Sequence, residues 1–319
     1  MSIRTDLRFR FAGVAAAFVF AAALSVAGPA RAGMNGQPKL SAGDAAQARK
    51  LSAEIVRRGG DAGRARPALM TLVETNATAD LTADVASALR DENTYTGLLA
   101  TFEDAFQAQT KAADRTFVRY NILRTHLFRA RILPHPSRGP VLAAAARNAE
   151  AVDKAERDHA LWEVVGDIYA EKGDVASALA AYKRMQTGGA PASVMHYKTG
   201  YANHRAGRLG PARQSYEAGV KADLGSSTGG GQTLHLLFQG LASLALQEGK
   251  PREAVDALLR SGDVKQDPAN PFRLQLALAY LLLERGYAKE VKAYADNAVK
   301  LFPDDVDAKA LRDAAEEKL

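Results

Sequence analysis

The six histidines are the side chains best suited to metal binding or acid–base chemistry, and their spacing favours neither role. They are His126, His135, His159, His196, His204 and His235. None belongs to an H-E-x-x-H motif or to a comparable ligand spacing. His196 and His204 are eight residues apart on one predicted helix, which aligns them only roughly. We therefore expect packing or surface roles and no metal site.

Other motifs for catalysis or cofactor binding are missing from the sequence. There is no G-x-S-x-G nucleophile motif. There is no cysteine, which excludes disulfides, thiolate catalysis and cysteine zinc sites. The glycine-rich stretch 225–232 is no phosphate-binding loop, because no lysine follows its glycines and no strand precedes them. The sequence thus predicts a protein that is not an enzyme, binds no cofactor and has a loop between helices at 225–232.

The charge of the chain does not indicate a nucleic-acid partner. The formal net charge is +6, and part of it, four arginines against one aspartate, lies in residues 1–32. The rest of the chain has no dense basic run with interleaved aromatic residues. We predict that the protein binds no nucleic acid.

Residues 1–32 have the pattern of a secretory signal peptide. A basic head with three arginines precedes the apolar run 11–27, and Ala30-Arg31-Ala32 supplies the small residues of a cleavage site. An uncleaved anchor is the alternative, but the run is shorter than the roughly 20 residues of a membrane span. We expect cleavage after Ala32, a flexible mature N-terminus at 33–43, a periplasmic or secreted protein, and membrane contact only through the signal peptide.

A repeat with a period of 34 residues begins near residue 160. Gly166, Gly173, Ala178 and Tyr182 recur as Gly200, Gly207, Ala212 and Tyr216. A period of this length predicts a pair of antiparallel helices in each unit. Small residues such as Gly166 and Ala178 allow two helices to cross closely, while Gly173 ends the first helix and Asp174 caps the second.

The segment 159–303 resembles the tetratricopeptide repeat family. The first unit follows the family pattern W-x2-L-G-x2-Y…A-x3-F with Trp162, Val165, Gly166, Tyr169, Ala178 and Tyr182, where valine replaces the leucine and tyrosine replaces the phenylalanine. The second unit departs from it, with Asn203 where a tyrosine is usual. Two degenerate units follow, marked by Gly249, Ala254 and Leu258 and then by Gly286, Val291 and Pro303.

The resemblance implies an all-α fold, a right-handed solenoid of antiparallel helix pairs. It gives four units in 159–303 with the glycine-rich insert at 225–232, and residues 304–319 suit a polar capping helix. The region 44–156 also has helical spacing, with a helix pair around Gly59-Gly60-Asp61 and a break at 134–136. We expect divergent repeats or a helical cap packed on the first clear unit, and a separate helical domain at 44–133 is the alternative.

In the resembled family the first helix of each pair lines a concave groove that binds a partner. The corresponding residues here are Glu163, Asp167, Tyr197, Tyr201, His204, Arg205, Gln239, Ser243, Arg273 and Tyr280. Tyrosine and arginine are frequent interface hot spots. Because Glu163 and Asp167 would repel an acidic chain end, the resemblance favours a basic or mixed-charge peptide.

We therefore expect a non-catalytic protein- or peptide-binding scaffold, or an assembly factor, of the bacterial cell envelope. Two alternatives remain open from the sequence. One is a periplasmic module that binds carbohydrate or peptidoglycan, and the other is a non-catalytic subunit of an envelope enzyme complex.

Overall fold

The described part of the chain is built from α-helices. The computed structural model describes residues 34–225, 231–263, 276–301 and 303–319. These ranges contain no strand, only an isolated β-bridge between Lys39 and Asp80. Neighbouring helices pack in pairs. The prediction of an all-α fold is thus confirmed for these residues.

The predicted signal peptide (1–32), most of the glycine-rich insert and Arg273 lie outside the described residues. The described residues fall into two compact units, one up to Ala190 and the other from Pro191 onward.

The N-terminal unit contains seven of the described α-helices. They are α1 (Ala42–Val56), α2 (Ala62–Thr75), α3 (Glu92–Ala108), α4 (Ala112–Ile132), α5 (Arg138–Glu150), α6 (His159–Lys172) and α7 (Val175–Thr187). Two short 3-10 helices, Ala86–Arg90 and His135–Ser137, lie between them. The expected helix pair around Gly59 and the expected break at 134–136 are both present. The 3-10 helix at Ala86–Arg90 was not expected.

Helices α1 to α4 enclose one hydrophobic core, which includes Leu69, Leu98 and Phe102, each fully buried. A buried polar side chain fixes the loop beside this core. The amide of Asn121 donates to the carbonyl oxygens of Ala77 (2.9 Å) and Ala79 (2.8 Å). These bonds satisfy backbone groups that burial would otherwise leave unpaired.

The first described residues are attached to the start of α6. Met34 is buried, and the backbone N–H of Asn35 donates to Oδ2 of Asp158 at 2.6 Å. The other carboxylate oxygen, Oδ1, caps α6 by accepting from the backbone N–H of Ala160 at 2.8 Å. This part of the segment 33–43, which was expected to be flexible, is therefore packed against its own unit.

Helices α6 and α7 form the first pair of the sequence repeat. Gly173 ends α6 with a φ of 85°, a left-handed conformation that favours glycine. Asp174 caps α7 by accepting from the backbone N–H of Ser177 at 3.1 Å. The ring of Tyr182 lies directly against Gly166, where no side chain intervenes. The roles predicted for Gly166, Gly173 and Asp174 are confirmed.

The C-terminal unit contains the other seven described α-helices. They are α8 (Ala192–Arg205), α9 (Leu209–Leu224), α10 (Gly231–Gln247), α11 (Pro251–Asp263), α12 (Leu276–Glu284), α13 (Ala288–Leu301) and α14 (Val306–Glu316). Three further pairs, α8–α9, α10–α11 and α12–α13, turn at Gly207, Gly249 and Gly286 with φ between 72° and 91°. These are the glycines that the repeat assigned to the turns.

The core of this unit is rich in small residues with a few tyrosines between them. Tyr216 on α9 lies against Gly200 on α8 and Gly240 on α10. Tyr294 on α13 is fully buried, in a cluster that also takes in the buried face of α14. Helix α14 is capped at its start by Asp305 and buries only one side, as expected of a terminal helix.

Candidate functional site

The two acidic residues expected to line a groove on the first repeat helix are buried instead. The guanidinium group of Arg131 on α4 donates to Asp167 at 3.0 Å and to Glu171 at 3.1 Å. The hydroxyl of Tyr182 donates to the other carboxylate oxygen of Asp167 at 3.0 Å. Glu163, one turn before Asp167, is also buried.

This arrangement corrects the prediction of an acidic groove in the first unit. The carboxylate of Asp167 is paired with Arg131, which lies 36 residues earlier in the chain. A buried carboxylate needs such a cationic partner because its desolvation costs several kcal/mol. Because the carboxylates of Glu163 and Asp167 are buried, they do not form an exposed negative surface. They therefore give no reason to expect that the first unit repels an acidic peptide.

The aromatic residues predicted for the second repeat helix are buried as well. Tyr197, Tyr201 and His204 are each less than 10% exposed. The rings of Tyr197 and His204 lie 6.3 and 6.1 Å from the ring of Tyr216, centroid to centroid. The expectation that Tyr197 and Tyr201 line an open groove was wrong, because both are buried in one aromatic cluster with Tyr216. Arg205, which is half-buried, lies over the ring of Tyr201 at 5.9 Å.

The remaining predicted residues are spread over α10 and α12. Gln239 is buried against His235, whose Nδ1 lies 2.6 Å from the hydroxyl oxygen of Ser261. Burial lowers the pKa of His235 to about 4. Ser243 is half-buried, and Tyr280 is 37% exposed. Of the predicted residues that are described, Tyr280 alone is exposed, so they form no open groove.

An open groove lies elsewhere, between the second helices of two successive pairs. Helices α9 and α11 both pack on α10 and leave a cleft between them, with α10 as its floor. The cleft has a volume of about 510 Å³. Its lining residues are Arg213, Glu217, Val220, Lys221, Leu224, Phe238, Leu241, Ala245, Glu253, Asp256, Ala257 and Arg260. We call this cleft the α9–α11 groove.

One end of the α9–α11 groove is closed by ion pairs. The guanidinium group of Arg213 on α9 reaches Glu248 at 2.7 Å and Glu253 on α11 at 3.1 Å. It also lies 3.7 Å from Glu217. Lys250 adds a contact to Glu248 at 2.9 Å. Hydrogen bonding to Arg213 lowers the pKa of Glu248, so this carboxylate stays ionised and the network bridges the two walls.

The opposite end of the groove is open, apolar and cationic. Leu224 lies at the edge of the groove and is 65% exposed, although leucine is among the residues most often buried in folded proteins. The guanidinium group of Arg260 lies over the ring of Phe238 at 4.3 Å. Among the described residues, neither Arg260 nor Lys221 forms an ion pair. The positive charges of Lys221 and Arg260 therefore lie beside the exposed side chain of Leu224.

The sequence did not identify this groove, because its walls belong to helices that are not adjacent in the chain. Leu224 could have indicated a binding surface, because it is an aliphatic residue at the polar end of α9, three residues after Lys221. Val220 and Leu224 are four residues apart on α9, and Ala257 and Arg260 are three apart on α11. Each spacing places its two residues on one face of the helix.

Neither metal binding nor a membrane-spanning helix is indicated by the described residues. Within them, no three histidine or acidic side chains come together in a way that could hold a metal ion. None of the described helices is both long enough and apolar enough to cross a bilayer. No protein-family model and no curated protein matches this chain. Fold and site together define a class, an all-α protein of packed helix pairs with a groove.

Proposed function

We propose that this protein is a non-catalytic, peptide-binding scaffold or assembly factor. We further propose that its helix pairs stack as a right-handed solenoid of the tetratricopeptide type. The repeated geometry of the pairs supports this architecture. Four successive first helices end at a left-handed glycine, and in two pairs a second-helix tyrosine lies against a first-helix glycine.

The α9–α11 groove is the observation that carries the binding function. Its volume lies within the range of about 300–1,000 Å³ that is typical of ligand sites. The groove offers apolar contact through an exposed leucine. It offers charge selection through a rim of carboxylates and through two cations, Lys221 and Arg260, that form no ion pair among the described residues. Such a surface suits peptide side chains, because peptides present apolar and charged groups at regular intervals.

The proposed location is the bacterial cell envelope, after export and cleavage of residues 1–32. The basic head, the apolar run and the small residues before Gly33 support this part of the proposal.

Selection from a random peptide library tests the binding function directly. The purified protein is panned against a phage-displayed dodecapeptide library, and enriched peptides are synthesised and measured by calorimetry. We expect peptides that bind with a measurable Kd. If repeated selections yield no peptide that binds in solution, the proposed function is wrong.

A matched pair of truncations locates the binding surface. Leu224→Ala truncates the exposed leucine of the groove, and Val306→Ala truncates an exposed aliphatic residue on α14, outside the groove. We expect Leu224→Ala to weaken peptide binding about fivefold or more, the loss of roughly 1 kcal/mol typical of a contributing contact. Val306→Ala should leave the Kd unchanged.

A further inference from the structure

The charges of the α9–α11 groove are separated along its length. Toward the closed end, the cations Arg213 and Lys250 face the three carboxylates Glu217, Glu248 and Glu253. Asp256 lies one turn further along α11 and forms no ion pair among the described residues. This half of the groove therefore has a net negative charge.

The open half has the opposite charge. Lys221 on α9 and Arg260 on α11 both line the groove, and no carboxylate of the described residues pairs with either of them. The guanidinium group of Arg260 contacts the face of the Phe238 ring, and its N–H groups donate no hydrogen bond to any of the described residues. Two donors on facing walls are suited to a carboxylate placed between them.

The apolar surface lies between and beside these charges. Val220 and Leu224 on α9, together with Leu241 on α10, give an aliphatic wall that reaches the cationic end. Covering an exposed leucine side chain stabilises a complex, because apolar surface is removed from water. An aliphatic side chain of a ligand would therefore contact this wall at the point where its neighbouring carboxylate meets Lys221.

We propose that the α9–α11 groove binds a peptide segment in which an acidic residue adjoins an aliphatic one. The carboxylate lies between Lys221 and Arg260, and the aliphatic side chain packs on Leu224. A basic residue further along the peptide points toward Asp256. This inference rests on the proposed peptide-binding function and adds to it the sequence class of the peptide and the position of its charged residues in the groove.

Reversing the charge of the open end of the groove tests the proposal. Lys221→Glu/Arg260→Glu replaces both cations of the open end. Arg208→Glu/Arg252→Glu is the matched control, because it changes the net charge equally at exposed positions that begin the same helices but do not line the groove. All three proteins are panned against the same library, and the melting of each is followed by circular dichroism.

We expect peptides selected by the unaltered protein to contain aspartate or glutamate next to an aliphatic residue. The groove variant should bind them about tenfold more weakly or worse, and selection on it should enrich lysine or arginine at that position. The control variant should bind them with an unchanged Kd. Should the groove variant not fold, Lys221→Gln/Arg260→Gln removes the charges without reversing them and should also weaken binding.

Two outcomes would overturn this inference while leaving the proposed function in place. The selected peptides could lack an acidic residue, or the groove variant could bind them as tightly as the control does. A protein that selects no peptide at all would instead remove the proposed function. Weakening of binding by added salt gives a further check, because ion pairs at an exposed edge are screened.

Discussion

Adding a single methyl group at Gly200 should destabilise the C-terminal unit. A Cβ at this position would lie 2.5 Å from Cδ1 and Cε1 of Tyr216, well inside van der Waals contact. The ring cannot move away easily, because its other side lies against Gly240, where an added Cβ would be 2.6 Å from Cζ. His204 and Tyr197 pack on the same ring.

Two opposing terms set the magnitude of the effect of Gly200→Ala. Alanine is a better helix former than glycine by about 1 kcal/mol, which favours the variant. Overpacking a well-packed core typically costs about 1–3 kcal/mol, and the contacts here place this site at the upper end. We expect a net loss of about 1–2 kcal/mol in the free energy of unfolding, measured by urea denaturation followed with circular dichroism.

Gly210→Ala on α9 is the control, because a Cβ there would have no atom within 4 Å. It should leave stability unchanged or raise it by about 0.4–1 kcal/mol. In the double variant Gly200→Ala/Tyr216→Leu, the smaller side chain makes room for the methyl group, so the two losses should not add. Full additivity, or a Gly200→Ala variant as stable as the Gly210→Ala variant, would refute the packing described for Tyr216.

Four further predictions follow from the described contacts and from the sequence. Arg131→Met removes the guanidinium group that pairs with the buried carboxylates of Asp167 and Glu171 and should cost about 3–5 kcal/mol in urea denaturation. Burial lowers the pKa of His126 and of His235 from 6.5 to about 4, so the unfolded chain binds protons that the folded chain does not. Stability should fall as the pH drops from 6.5 to 4, by up to about 3 kcal/mol for each histidine, in denaturant titrations. Tyr201→Ala should lower the melting temperature, because Tyr201 is buried in the aromatic cluster. The exported protein should begin at Gly33 by mass spectrometry.

Each of these predictions has an outcome that contradicts it. An unchanged urea midpoint for Arg131→Met would mean that the buried ion pairs add nothing to stability. A stability that is flat between pH 4 and 6.5 in the unaltered protein would contradict the second prediction, and a pH dependence that His235→Gln leaves unchanged would exclude His235 as a cause. If the Tyr201→Ala variant has the same melting temperature as the unaltered protein, the side chain of Tyr201 adds nothing to the core and its assignment to the buried aromatic cluster is wrong. An envelope form that retains Met1 would indicate an anchor.

The helices and their turns could be predicted from the sequence because their causes are local. Gly173, Gly207, Gly249 and Gly286 each follow a helical apolar pattern and adopt the φ that glycine alone tolerates well. Asp174 caps a helix that begins one residue later. Such signals lie within a few residues of the structure that they determine.

The burial of individual side chains could not be predicted in the same way. Asp167 was assigned to a groove because its repeat position is exposed in the resembled family. Its partner Arg131 belongs to α4, outside the recognised repeat, and nothing in the spacing of the two residues indicates their contact. Tyr201 was misassigned for a related reason, since a tyrosine on a helix face suits either a core or an interface.

The α9–α11 groove was missed because it depends on how far apart two helices lie when both pack on a third. Gly219 allows close approach at this point, since a Cβ there would lie 2.5 Å from the side chain of Leu237 on α10. The depth of a cleft depends on such distances between elements. A sequence pattern gives the composition of each wall but not the space between walls.

The hydrogen bond between Asn35 and Asp158 has a consequence for how the chain folds during its synthesis. The two residues are separated by 123 positions, so the contact forms only after α1 to α5 have been made. Closing a loop of this length costs about 4 kcal/mol of chain entropy unless the intervening helices have already brought its ends together. The earliest described stretch of the polypeptide is therefore among the last to pack. Under the export proposed above, it should stay accessible to a signal peptidase until residue 158 has crossed the membrane.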